Sequence, residues 1–254
     1  MSREVNMLLA VDIGNTSIYN GIFKGRILSK AFRTPTNAKD LKSQYIKRMK
    51  PCLKGIERVV VGSVVPEALK CVRKLVRDTL GKEILVVGED VDSGVKNLYK
   101  KPRQVGQDRL INARAAYELH GGPSIIVDFG TAITIDVINK KKEYLGGVIT
   151  PGVEISLGAL SAKACLLPKV AIKKPEDILG KETRQSMISG AVYGFSSLCD
   201  GIVQRLKKKC CKGCHVVATG GLSRLIGPYC KTVDIIDPEL TLKGLALIGD
   251  ENSV

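Results

Sequence analysis

The feature that most constrains this chain is a short pattern that occurs twice. Residues 8–16, LLAVDIGNT, and residues 124–132, SIIVDFGTA, each run an apolar stretch into Asp-x-Gly and then a small hydroxyl residue, at an offset of 116 residues. Asp12 aligns with Asp128, and Gly14 with Gly130. Each copy continues into a second apolar stretch, SIYNGIFKG and ITIDVINKK, with the composition of a strand that follows a tight turn. The pattern predicts a β-hairpin with Asp-x-Gly at its bend, once in each half of the chain. Two such hairpins imply two similar lobes facing one cleft.

Between and after the hairpins, strand and helix patterns alternate. ERVVVGSVVP (57–66) reads as a buried strand stopped by Pro66, and EALKCVRKLVRDTL (67–80) has helical apolar spacing ended by Gly81. ILVVGED is the next strand, and RLINARAAYEL (109–119) is a helix with Asp108 at its N-cap. In the second half, YLGGVITPGVEISLGALSAKA passes from strand through a Gly/Pro turn into a helix. SMISGAVYGFSSLCDGIVQRLKKK predicts a long helix, CHVVATGGLS a strand and glycine turn, and LTLKGLALIG a closing helix. The class is therefore α/β. At 254 residues the chain accommodates two lobes, divided here into 1–117, with the first hairpin, and 118–254, with the second.

Hydrophobic residues make up 44% and charged residues 26%, which disfavours disordered and fibrous classes. Forty Lys and Arg against 25 Asp and Glu leave a net charge of +15, a balance that suits an anionic partner. The cations are dispersed in short clusters such as Lys140–Lys142 and Lys207–Lys209, without interleaved aromatics, so solvated surface charge is favoured over a nucleic-acid platform. No apolar run is long enough to span a membrane, and the start of the chain lacks signal-peptide design, so a cytoplasmic protein with reduced cysteines is expected.

A phosphoryl-transfer site needs a carboxylate to organise metal and backbone donors close to phosphate, and glycine permits that approach because it has no Cβ. Asp12, Gly14, Asn15 and Thr16 supply these within one turn, and Asp128, Gly130 and Thr131 supply them again. One copy alone reads equally well as a structural turn. The pair favours nucleotide binding. No Walker A motif competes, because LGKET (179–183) has Pro175 where its first glycine belongs and Glu182 after the lysine.

Six segments, DIGNTSIYNGIF, YKKPRQVGQDR, VDFGTAITIDVI, GGVITPG, LGKETRQSMISGAVYG and VATGGLS, together resemble type III pantothenate kinase, in order and over nearly the whole chain. That family belongs to the acetate kinase, sugar kinase, Hsp70 and actin superfamily. The resemblance implies two ribonuclease-H-like, actin-like lobes around a nucleotide cleft, and ATP-dependent phosphorylation of pantothenate to 4′-phosphopantothenate, the first committed step toward coenzyme A. It implies phosphate and ATP contacts at Asp12, Gly14, Asn15, Thr16 and Thr131, with Gly220 and Gly221 against adenosine. It places the catalytic base at Asp108, pantothenate along Gly106, Gln107, Asp108 and Arg109, and further substrate contacts at Tyr99 and Thr183. Thr183 would reach the neighbouring subunit's site in a homodimer. Asp128 would hold a monovalent cation, potassium or ammonium, and Asp12 would organise magnesium, mostly through water. Gln107 stands where the family often has a small residue, which alters the local pocket shape and removes no reactive group.

The chemistry agrees with those roles. Little proton transfer is needed before the leaving-group bond stretches in a loose phosphoryl transition state, so an ordinary carboxylate suffices as base. A helix N-terminus favours negative charge at Asp108, and the guanidinium of Arg109 can pair with the acceptor's carboxylate. Two rival readings remain at this stage. One is another small-molecule kinase or phosphatase of the superfamily with a different acceptor, and the other is a regulatory protein whose basic surface meets nucleic acid. Cys210, Cys211, Cys214 and His215 form a motif, CCKGCH, that invites metal, but no second Cys-x-x-Cys completes a zinc site. The only other histidine, His120, reads as a helix end.

Overall fold

The computed structural model describes residues 7–36, 47–48 and 55–252. These form two compact units: the first comprises residues up to Val95, Lys101–Ala115 and Thr241–Val254, and the second comprises Lys96–Lys100 and Ala116–Leu240. The division read from sequence, 1–117 and 118–254, differs from these units chiefly at the C-terminus, where the last helix joins the first unit.

In the first unit, β1 (Met7–Ile13), β2 (Ser17–Lys24) and β3 (Ile27–Pro35) form an antiparallel meander. Strand β4 (Ile56–Ser63) adds parallel to β1, and β5 (Leu85–Val86) parallel to β4, giving the order β3-β2-β1-β4-β5. The second unit repeats this plan. Strands β7 (Ser124–Phe129), β8 (Ala132–Ile138) and β9 (Glu143–Pro151) form the meander. Strand β10 (His215–Thr219) runs parallel to β7 and β11 (Ile235–Ile236) parallel to β10. A two-residue strand, β6 (Lys96–Asn97), extends the outer edge beside β9. The 116-residue offset that joins the two Asp-x-Gly turns also carries Ile27–Pro35 onto Glu143–Pro151. The two units are thus similar, as the duplicated hairpin predicts, and share the ribonuclease-H-like plan that the family resemblance implies.

Alternation along the strands sorts side chains to two faces. In β1, Leu9, Val11 and Ile13 enter one core of the first unit, while Leu8 and Ala10 enter the other. Helix α1 (Pro66–Leu80) covers the first of these faces because Ala68, Leu69, Val72, Leu75 and Val76 recur at helical spacing on one side. Pro66 begins this helix at its first position, where a missing N–H costs nothing, rather than merely stopping the preceding strand. Gly81, at φ 62°, closes the helix by donating to the Arg77 carbonyl at 2.9 Å. On the opposite face lie Ile111 of α2 (Gln107–His120) and Leu242, Leu245, Ala246 and Ile248 of the last helix, Leu240–Glu251.

In the second unit, Ile125, Val127 and Phe129 of β7 and Ile133, Ile135 and Val137 of β8 face α3 (Val153–Lys163) and α4 (Thr183–Cys210). The 28 residues of α4 make a rod of about 42 Å. Its glycines 190, 194 and 201 sit where an added Cβ would meet nothing, so they weaken the helix without interrupting its packing. Its one buried charge, Asp200, is satisfied by the backbone N–H groups of Lys231 and Thr232 and by the Thr232 hydroxyl. No helix among the described residues is long and apolar enough to cross a membrane.

Candidate active site

The first hairpin pairs from Met7↔Lys24 to Ile13↔Ile18, leaving Gly14, Asn15 and Thr16 as its turn. Asp12 lies in the strand row of Leu8 and Ala10 but at the row's end, where the core runs out, and it is half-buried. The Gly14 N–H donates to the Ser17 carbonyl at 3.1 Å, while Asn15 and Thr16 are exposed. A residue outside the motif holds this turn. The hydroxyl of Thr36 donates to the Gly14 carbonyl at 2.7 Å, and its backbone N–H donates to the Thr16 carbonyl at 3.0 Å. No pattern near Thr36 signalled this, because the link runs across 22 residues.

The second hairpin has the same construction. Asp128 pairs with Thr134 across β8 and with Thr219 across β10, and Thr131 is exposed at the turn. Here the backbone N–H of Gly152 donates to the Thr131 carbonyl at 3.1 Å. Gly220, predicted as part of the adenosine turn, comes directly onto this hairpin. Its φ is 90°, and a Cβ there would overlap a carboxylate oxygen of Asp128 and lie 2.8 Å from the backbone N and C of Phe129. Glycine is therefore required both by conformation and by space. Gly221 beside it faces open space. The geometry thus brings Asp128, Gly130, Thr131, Gly220 and Gly221 together.

The residues around Asp128 suit a hard cation. Thr219, fully buried beside Asp128 in the sheet, has a hydroxyl with no hydrogen-bond partner among the described residues. A carboxylate and a hydroxyl oxygen are the donor types such ions take. Asp12 offers a half-buried carboxylate suited to a magnesium ion that keeps most of its water. Among the described residues, no three His, Cys, Asp or Glu side chains converge on a point that could hold a metal ion.

Gly106, Gln107, Asp108 and Arg109 open α2. Asp108 occupies the first helical turn rather than the N-cap, since the helix begins at Gln107. One of its oxygens accepts the Arg109 N–H at 2.9 Å, and it lies so close to Gly106 that a Cβ there would overlap it. The same Cβ position is 3.5 Å from Val64, which follows β4 and donates its N–H to the Ile13 carbonyl at 3.1 Å. Parallel strands β1 and β4 end side by side, with Asp12 opposite Gly62 and Ile13 opposite Ser63. Asp108 and the Asp12 turn therefore lie at the same carboxyl edge of one sheet, the edge at which ligands of open α/β sheets bind. Arg109 is only 7% exposed, so it is not a solvated surface arginine. Gln107 packs on Gly88, whose φ of 91° and missing side chain leave room for its amide.

Tyr99 belongs to the second unit, where its ring lies 6.5 Å from that of Tyr144. Thr183 is the exposed first residue of α4 and stands at the rim of a groove of about 380 Å³ lined by Leu157, Leu160, Leu167, Met187 and Phe195.

The cysteine cluster resolves as packing. Cys199, Cys211, Cys214 and Cys230 are buried members of the second unit's core, and all seven described cysteines are free thiols; Cys52 lies outside the described residues. Burial pushes the Cys199 and Cys230 thiols up to about 12, and burial together with a hydrogen bond to Cys214 raises Cys211 as well. His120 ends α2, as its sequence suggested, and its Nε2 meets Asp237 at 3.0 Å.

A family model described as type III pantothenate kinase matches residues 8–205. A type III pantothenate kinase from Moorella thermoacetica is 41% identical over 254 residues, covering 97% of this chain and 100% of its own. Among solved structures, an archaeal actin homologue, Ta0583, aligns over 97% of this chain and 100% of its own at 14% identity and a TM-score of 0.58. A Campylobacter jejuni protein described as a Baf family transcriptional activator aligns over 96% and 97% at 22% identity and a TM-score of 0.55. These two likenesses bear on fold alone, and they make it actin-like. With the family model and a full-length relative in agreement, the chain belongs to the type III pantothenate kinase family, the kinases that act on pantothenate in coenzyme A biosynthesis.

Proposed function

We propose that the primary hydroxyl of pantothenate attacks the γ-phosphorus of ATP with Asp108 as the base. As the bond to the ADP oxygen stretches and the new P–O bond forms, the hydroxyl proton passes to a carboxylate oxygen of Asp108. The observation that carries this reading is the position of Asp108 at the same sheet edge as the Asp12–Thr16 turn, beside the parallel ends of β1 and β4. Gly14, Asn15, Thr16 and Thr131 contact the phosphates, and Gly220 with Gly221 accommodates adenosine. Arg109, already withdrawn from solvent, pairs with the acceptor's carboxylate. Gly106, Gln107 and Tyr99 are further acceptor contacts. Magnesium at Asp12 and potassium or ammonium at Asp128 supply positive charge that offsets the phosphates.

The same reading makes the enzyme a cytoplasmic homodimer in which Thr183 serves the neighbouring copy. The apolar groove at Thr183, together with exposed Leu166, Ile178 and Leu179, supports a second copy covering this face. Sedimentation should give a dimer, and a fully active monomer would contradict the shared site.

Asp108→Asn tests the base. It keeps the side-chain shape but cannot take the proton, so turnover should fall by about 10²- to 10⁴-fold while ATP still binds. Turnover within a few-fold of the parent would remove Asp108 from that role.

A further inference from the structure

Asp136 is the most deeply buried carboxylate of the second unit's sheet, at 1% exposure, and the mechanism above leaves it without a task. Burying a carboxylate is costly unless its oxygens are hydrogen-bonded. Both are. Tyr144, itself fully buried, donates its hydroxyl to one oxygen at 2.7 Å, and Thr134 donates its hydroxyl to the other at 2.9 Å.

The aromatic neighbour of Tyr144 gives this arrangement a use. The Tyr144 ring meets the Tyr99 ring at 6.5 Å between centroids and an interplanar angle of 49°, an aromatic pair of ordinary spacing. Gly146, two residues along β9, adds a surface on which the Tyr99 ring rests, since a Cβ there would be 3.5 Å from two ring atoms. The backbone around Tyr99 is tied to the same place. Asn97 pairs with Tyr144 across the sheet, the Leu98 N–H donates to the Tyr144 carbonyl at 2.9 Å, and the Tyr99 N–H donates to the Asn97 side chain at 3.0 Å.

We propose that Asp136 and Tyr144 are positioning residues for the acceptor: Asp136 fixes the Tyr144 hydroxyl, and the Tyr144 ring fixes Tyr99 in the pose that contacts pantothenate. The inference rests on the assignment of Tyr99 as an acceptor contact. A phenylalanine at 144 would fill the same volume, so what the hydroxyl adds is its bond to the buried Asp136 carboxylate and the orientation that bond imposes. Loosening it should weaken acceptor binding without touching the ATP side.

Steady-state kinetics with Tyr144→Phe, Tyr99→Ala and the double variant test this. Tyr144→Phe should raise the pantothenate KM roughly three- to tenfold, the loss expected for one orienting hydrogen bond, and leave the ATP KM within about twofold. In the Tyr99→Ala background the same change should add nothing, because its effect passes through Tyr99. Asp136→Asn should reproduce the split, and if that variant does not fold, Tyr144→Phe decides the matter. An unchanged pantothenate KM, equal shifts in both KM values, or a full additional effect without Tyr99 would overturn the relay. If Tyr99→Ala itself leaves the pantothenate KM unchanged, the assignment of Tyr99 falls and the relay with it, while the test of Asp108 is unaffected.

Discussion

Adjacent glycines 220 and 221 should respond in opposite ways to the same substitution. Gly220→Ala places a methyl 2.8 Å from two backbone atoms of Phe129 and onto a carboxylate oxygen of Asp128, at a φ of 90°. The positive φ costs an L-residue about 1–2 kcal/mol, and forcing a methyl against backbone that cannot rotate away costs a further ~1–3 kcal/mol. Gly220→Ala should therefore lose about 2–5 kcal/mol in urea unfolding. Its ATP affinity should fall by roughly tenfold or more in calorimetric titration, because the displaced atoms belong to the hairpin proposed to contact the phosphates. Gly221→Ala meets nothing within 4 Å and has no such φ, so its stability should stay within about 0.5 kcal/mol of the parent. Equal losses for the two variants, or a stable Gly220→Ala that binds ATP normally, would refute the packing of this turn against Asp128.

Three further outcomes follow from the geometry. Thr36→Val deletes the 2.7 Å bond to the Gly14 carbonyl at nearly constant volume, so the ATP KM should rise about fivefold; an unchanged ATP KM would mean the first turn holds itself. If Asp128 and Thr219 hold a monovalent cation, activity should rise when sodium is replaced by potassium or ammonium, and Asp128→Asn should abolish that dependence; indifference to the cation in the parent enzyme would remove the assignment. Because burial raises Cys199 and Cys230 to about 12 from an ordinary 9.0, the folded state holds their protons longer than the unfolded chain. Their contribution to stability is complete below pH 9 and is lost as pH rises toward 12, so Cys199→Ala/Cys230→Ala should flatten the alkaline fall in unfolding free energy. A curve parallel to the parent's would contradict it.

What could be read from the residues was local. The two Asp-x-Gly hairpins were legible because apolar runs and turn residues specify a hairpin within about 20 residues, and their repetition signalled two similar units, though not the strand order within them. Helix α1 was legible from its apolar spacing, although Pro66 proved to open it. The placement of helix Leu240–Glu251 was not. Its pattern shows that one side is buried, but only the fold shows that Leu242 and Leu245 pack with Leu8 and Val60 of the first unit. The same limit hid Thr36 and Gly88, whose roles arise from contacts with Gly14 and Gln107 far along the chain. The CCKGCH segment misleads in the other direction, since its spacing resembles a ligand set while Cys211 and Cys214 serve as small apolar core residues.

The most direct test of the central claim is ADP release by the purified protein with ATP, magnesium and potassium, comparing pantothenate with no acceptor and with a panel of sugars and small acids. Release should depend on pantothenate and be lost in Asp108→Asn. Release that follows a sugar instead, or that ignores pantothenate while ATP still binds, would contradict it.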